Sequence, residues 1–260
     1  MKILYPNRAA LVDAGPAETM GSYPITNLLD GHLLKPWKAQ ATAQQTELLL
    51  NFEFNQSADN IALFGLDLEA LTIEVYDNQA TPQLVDEVVF PCQGEDSFGP
   101  VQTQQLWWSF PLQSAGSVII RVDTTVHKNP SIGVISIGPA ISYPNPNWGF
   151  HQGWSNHSIK KQLKSGSYFR RDKQIARNPQ AAMELPISRG GKARYYEFLH
   201  FYQRINSNPF ACLMIEGLLD DSDQSLDREY SIWGSFGENF NPTEAKYSAY
   251  HIEFNLEEGL

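Results

Sequence analysis

The sequence predicts a mainly β protein of two domains. An N-terminal β-sandwich jelly roll spans residues 1–140, and a C-terminal α+β barrel or sandwich with one helix spans residues 141–260. Three observations predict this. Short runs of period-two alternation recur along the chain, separated by Gly, Pro, Asn and Asp. The stretch Pro139–Trp148, with three prolines and two asparagines, interrupts them and disfavours both helix and central strand. A single segment, Lys192 to Asn206, carries convincing helical spacing.

In the first domain, Glu47–Phe54 sets Leu48, Leu50, Phe52 and Phe54 against Glu47, Asn51 and Glu53, the pattern of a half-buried strand. Leu49 keeps its outer face from being purely polar. Asn60–Leu68, Leu71–Tyr76 and Gln83–Phe90 follow as strands, the last closed by Pro91. Gln105–Leu112 carries Trp107 and Trp108, which point to opposite faces of a strand, so one is expected in the core and the other outward as a glycan or partner contact. Ser117–Asp123 alternates Val118, Ile120 and Val122 with Ser117, Arg121 and Asp123, and Ile132–Ile137 completes about seven strands. In the second domain, Ser167–Arg171 and Ala182–Ile187 read as short strands. Gly190-Gly191 introduces the helix, with Tyr195, Phe198, Leu199, Tyr202 and Ile205 on one stripe. Phe210–Ile215, Arg228–Phe236 and Ser248–Leu256 return to strand.

A chain of 260 residues buries roughly 70–75% of its unfolded surface, so its two cysteines, Cys92 and Cys212, are expected as buried thiols rather than a disulfide framework. The N-terminal residues show no signal peptide and no segment has the apolar length of a membrane span, which gives an expectation of synthesis in a cytoplasm. A net charge of −10 argues against nucleic-acid recognition. The charge is divided: Lys160–Arg194 holds 10 basic residues against Asp172 and Glu184, and Glu216–Glu258 holds 11 acidic residues against Arg228 and Lys246. Two readings follow. The segments are complementary surfaces that meet between copies, with Lys160, Lys161, Lys164, Arg170 and Arg171 facing Asp220, Asp221 and Asp223, or they neutralise each other within one domain.

No motif carries chemistry. No His pair has zinc spacing, and His151 and His157 share a polar loop. Gly153-Trp-Ser-Asn-His157 lacks the second Gly of a nucleophile elbow. Aligning Asp221 as the first ligand of a calcium loop puts Leu226 in place of the required Gly and Ile232 in place of the bidentate Glu. No phosphate loop opens a helix. The expectation is a protein that is not an enzyme and that has no cofactor, metal or catalytic residue.

The stretch Tyr23-Pro-Ile-Thr-Asn27-Leu28-Leu-Asp30-Gly31, followed by Lys35-Pro-Trp37, resembles the opening signature of discoidin-like (galactose-binding-like) jelly rolls, in the form common in bacteriophage virion proteins. The resemblance implies that Trp37 is a core residue. In the family a structural calcium often lies by the Asp-Gly loop; here His32 and Lys35 replace its polar residues, and no calcium is expected. The second half is similar in pattern to the tail-tube-like barrels of phage distal-tail and baseplate proteins. That pairing implies a virion structural protein of a phage tail tip, assembled in the host cytoplasm, whose sixfold ring connects tube to hub beside the tape measure and presents the jelly roll outward, docking neighbours or host glycans. The alternative is a carbohydrate-binding module that recognises glycans without catalysis.

Overall fold

The computed structural model describes residues 1–14, 18–19, 23–41, 46–96, 99–102, 104–146, 151–156, 159–162, 168–171, 175–187, 190–216, 230–243 and 249–259. The chain is mainly β, with one α-helix among the described residues. It divides into two compact units, Lys2–Ser142 with Ala211–Ile232, and Met1 with Tyr143–Phe210 and Trp233–Leu260.

The first unit opens with β1 (Lys2–Leu4), β2 (Ala10–Ala14), β3 (Glu18–Thr19) and β4 (Trp37–Gln40). Next come β5 (Glu47–Phe54), β6 (Ala58–Phe64), β7 (Ala70–Asp77) and β8 (Leu84–Pro91). A short hairpin, β9 (Gln93–Asp96) with β10 (Gly99–Gln102), leads to β11 (Gln105–Gln113) and β12 (Gly116–Asp123). The run ends with β13 (Ser131–Ile132), β14 (Val134–Gly138) and β15 (Ala140–Ser142). A five-stranded antiparallel sheet, β2-β5-β12-β7-β8, and a three-stranded sheet, β11-β6-β14, form the sandwich. Their inner faces meet in one core. Leu48, Leu50, Phe52 and Phe54 of β5, Ile73 and Val75 of β7, and Val118, Ile120 and Val122 of β12 contribute from one side. Ile61, Leu63, Trp108, Ile135 and Ile137 contribute from the other. Each such side chain stabilises the fold by about 1.5–3 kcal/mol through burial.

The Asn-Leu-x-Asp-Gly stretch has a physical account. Ile25–Leu29 forms a 3-10 turn that buries Leu28. The Asn27 Nδ2 donates to the Pro36 carbonyl at 3.3 Å, tying the turn to the residue before Trp37. Asp30 Oδ1 accepts from the His32 N–H at 2.9 Å, and Gly31 takes φ 80°, where a side chain would strain the turn. Trp37 is fully buried.

The second unit contains β16 (His151–Asn156), the hairpin β17 (Ile159–Gln162) with β18 (Tyr168–Arg171), and the long β19 (Ile175–Pro186). Helix α1 spans Gly191–Ile205 and is followed by β20 (Phe210–Leu213), β21 (Ser231–Thr243) and β22 (Ala249–Glu258). Ala211–Leu213 of β20 belongs to the first unit and pairs there with β1, Leu4 opposite Ala211 and Lys2 opposite Leu213. In the second unit β16, β19, β22 and β21 are successive antiparallel neighbours. Helix α1 packs on β19 and β22. The Gly-Gly before it has a steric cause. Gly190 sits at φ 75°, and a Cβ on Gly191 would lie 2.2 Å from the Leu185 carbonyl oxygen. Phe198 is the hub of the helix face, with ring centroids 5.1 Å from Tyr143, 5.8 Å from Phe236 and 5.6 Å from Phe254. Phe201, absent from the expected stripe, is buried, while Leu199 and Tyr202 are half-buried. A bulge in β21 between Phe236 and Phe240 keeps both rings near Phe198.

Candidate functional site

The expectation that one of Trp107 and Trp108 faces outward is corrected: they are 3% and 7% exposed. They do point to opposite faces of β11. Trp108 joins the sandwich core and packs 5.7 Å from Phe110. The second face of the three-stranded sheet is covered too. Its Gly138 lies against Leu4 and Pro6, and the Trp107 Nε1 donates to Asn60 Oδ1 at 3.0 Å, an oxygen that also accepts from Ser109 Oγ at 2.7 Å. Neither indole offers a stacking platform.

Of the residues expected at an interface, four come together. Lys160 and Lys161 lie on β17, Arg170 and Arg171 on β18, and the register sets Lys160 opposite Arg170 and Ile159 opposite Arg171. Lys164, Asp220, Asp221 and Asp223 lie outside the described residues. The rest of the acidic segment is partly matched within its own chain. Glu216 pairs with Lys2 at 2.7 Å, and His251 and Glu253 are 3.1 Å apart. Glu258 Oε1 accepts from Arg177 Nε at 2.9 Å and Nη2 at 2.6 Å, and Oε2 accepts from the Arg177 N–H at 2.9 Å. Arg177 and Glu258 show neutralisation within one unit.

The feature missed from the sequence is β16, which reads there as polar loop. Among the described residues it is the last strand of its sheet, hydrogen-bonded through His151–Asn156 to Ile175–Gln180 of β19. Natural sheet edges are usually guarded by charge, proline or a bulge. His-Gln-Gly-Trp-Ser-Asn contains no Asp, Glu, Lys, Arg or Pro. Trp154, on this strand, is 63% exposed. Gly153 is fixed by space, since a Cβ there would lie 2.8 Å from the Asn178 carbonyl oxygen. An edge strand whose ladder groups are unguarded, with a large exposed indole, is suited to pairing with another strand.

A second feature lies on the outer face of the five-stranded sheet. Arg121 on β12 donates from Nε to Glu74 Oε1 at 2.6 Å and from Nη2 to Glu74 Oε2 at 3.1 Å, while Nη1 reaches Glu47 Oε2 at 3.3 Å. Tyr76 Oη donates to Glu74 Oε2 at 2.9 Å. The Arg121 bond, against the opposing effect of burial, holds the Glu74 carboxyl below the usual glutamate range. The Asp123 carboxyl is lowered by the Thr125 hydroxyl and backbone N–H. A groove of about 370 Å³ runs beside these residues, lined also by Thr46, Thr72 and Val89. It presents hydroxyls, carboxylates and one guanidinium, groups that hydrogen-bond hydroxyl-rich ligands.

No group of three or more His, Cys, Asp or Glu among the described residues is arranged to hold a metal ion. Burial pushes the Cys212 thiol up to about 12, which makes it unreactive. No helix among the described residues is long and apolar enough to cross a membrane.

No protein-family model matches the chain, and no curated protein matches it. Among solved structures it is similar to CBM32-3 from a family 31 glycoside hydrolase of Clostridium perfringens, with TM-score 0.40, 12% identity, and 50% of this chain and 90% of that chain covered. It is similar to the C-terminal domain of a chitobiase from Bacteroides fragilis, with TM-score 0.37, 12% identity, and 52% and 96% covered. It is also similar to a Clostridium perfringens CBM32 module in complex with GalNAc-β-1,3-galactose, with TM-score 0.38, 12% identity, and 51% and 96% covered. The jelly-roll assignment rests on the five-plus-three strand pairing itself.

Proposed function

We propose that this chain is a non-catalytic structural protein that works by assembly, in the setting of a phage tail tip, where copies form a ring that joins tube to hub. The observation that carries assembly is the unguarded edge strand β16 with its exposed Trp154. The tail-tip setting rests on the sequence resemblance in its form with Tyr23-Pro24 before Asn27-Leu28, and on the tail-tube-like pattern of the second half. Strand addition supplies main-chain hydrogen bonds for affinity, and the indole supplies apolar area. Light scattering over a concentration series, followed by negative-stain imaging, tests this reading. Closed oligomers that Trp154→Glu dissolves are the expected result. A wild-type chain that stays monomeric, alone and with its tail neighbours, overturns it.

Glycan recognition is the second reading, and the polar groove beside Arg121 favours it. It predicts sugar binding that Thr72→Ala weakens. A glycan array without signal removes it.

A further inference from the structure

The assembly reading leaves open what β16 pairs with, and the inference drawn here rests on that reading. We infer that the partner is β8 of a second copy, joined to β16 as a parallel strand.

Among the described residues, strand β8 is the last strand of the five-stranded sheet and is hydrogen-bonded on one side to β7. It carries two exposed apolar side chains, Leu84 at 50% and Val89 at 63%, which match the exposed indole of Trp154. Its charge is of the sign opposite to that beyond β16. Leu84–Asp96, which covers β8 and β9, holds Asp86, Glu87, Glu95 and Asp96 and no Lys or Arg. The strands after β16 hold Lys160, Lys161, Arg170 and Arg171 and no Asp or Glu. Asp86 and Glu87 make no ion pair among the described residues.

Topology selects the direction. Each edge strand runs at its C-terminal end into a charged hairpin: β16 into β17–β18, and β8 into β9–β10. Parallel pairing brings those ends together, basic hairpin beside acidic hairpin. Antiparallel pairing sets the two hairpins at opposite ends and leaves their charges unmatched across the contact. The surfaces that meet are different, so the contact is heterologous, as a cyclic ring requires.

Cysteine cross-linking of the full-length chain tests both partner and direction. Parallel pairing sets His151 near Leu84 of the next copy, whereas antiparallel pairing sets it near Val89. Leu84 and Val89 are five residues apart, or roughly 17 Å along a strand, against a reach of about 7 Å between Cα atoms for a disulfide. The double variant His151→Cys/Leu84→Cys is expected to give a ladder of disulfide-linked species under mild oxidation, and His151→Cys/Val89→Cys is expected to give none. Native Cys92 and Cys212 are buried and do not interfere. In a second arm, Leu84→Asp/Val89→Asp blocks one surface and Trp154→Asp the other. Each variant alone is expected to lose association at least about 30-fold, the effect of an interface hot spot, and an equimolar mixture is expected to form a dimer and stop there. Absence of the His151–Leu84 link in a wild-type-like oligomer, or a mixture that stays monomeric, overturns the β8 assignment and leaves assembly standing. A wild-type monomer under all conditions overturns both.

Discussion

Removing the Glu258 carboxylate tests how the C-terminal strand is fastened. Arg177 and Glu258 have side-chain exposures of 7% and 14%. Three short contacts join them, two from the guanidinium and one from the Arg177 backbone N–H. Hydrogen bonds to a charged group are worth about 1.5–3 kcal/mol each, but within one pair they are not additive. The better measure is the cost of breaking a buried ion pair from one side, about 3–5 kcal/mol. For a chain of this size each kcal/mol moves the melting temperature by about 2–4 °C, so Glu258→Ala is expected to lower it by about 6–20 °C. Glu258→Gln keeps the volume but opposes an amide N–H₂ to the guanidinium, and it should recover less than half of the loss. The neighbouring Glu257 is exposed, and Glu257→Gln is the control, with an expected change within about 0.5 kcal/mol. Thermal melts followed by circular dichroism at neutral pH provide the measurement. A Glu258→Ala shift no larger than the control's would refute the claim that this pair holds β22 to β19.

Glu74, whose carboxyl is lowered chiefly by its bond from Arg121, predicts an acid-sensitive outer sheet. The unfolded chain binds its proton near the ordinary glutamate pKa of about 4.3, so the stabilisation is complete above that pH. It is lost as pH falls through the lower folded value. Denaturant titrations at pH 6 and pH 3 should show Glu74→Gln destabilising more at the first than at the second; equal effects at both would exclude the linkage. Gly191→Ala should destabilise by about 1–3 kcal/mol despite alanine's better helix propensity, because its Cβ would meet the Leu185 carbonyl oxygen. A stabilised variant in chemical denaturation would contradict that packing. Phe198→Ala removes a fully buried ring at the centre of the helix–sheet contact and should cost about 3–5 kcal/mol. Near-ultraviolet circular dichroism of the tyrosine and tryptophan bands reports whether the cluster loosens with it.

The strands that the sequence reveals are those with one face in a core and one toward water. Glu47–Phe54 coincides with β5, the expected Leu71–Tyr76 lies one residue inside β7 at each end, and Ser117–Asp123 starts one residue inside β12 and ends with it. The helix shows itself because Tyr195, Phe198 and Ile205 face a sheet while Arg194 and Glu197 do not. Elements without such contrast stay hidden. Strand β1 is three residues long and too short for a period. The first half of β19 contains Pro179 and lacks alternation, so only its end at Ala182 is legible. Trp107 defeats the alternation argument for another reason. Period two assigns it correctly to the face opposite Trp108, but its burial depends on residues distant in sequence, such as Asn60, whose Oδ1 takes the indole N–H. β16 escapes notice because His-Gln-Gly-Trp-Ser-Asn carries no apolar stripe of its own.

The difference between the two sheet edges bears on the kind of assembly. β8 has the guards of a strand that must not pair indiscriminately: Asp86 and Glu87 along it and Pro91 at its end. β16 has none of these. A two-fold contact of β16 with itself would be antiparallel and would close at two copies. It would also leave the basic β17–β18 hairpins without acidic partners. A contact of β8 with itself would align like charges and is unfavourable for that reason. Pairing unlike edges satisfies the indole and the charges at once. On that pairing each added copy would present one edge of each kind, so growth would continue until the rotation between copies brought the last edge back to the first. On the proposed pairing, guarding one edge with acid and leaving the other open would turn two strand edges of one chain into a directional joint.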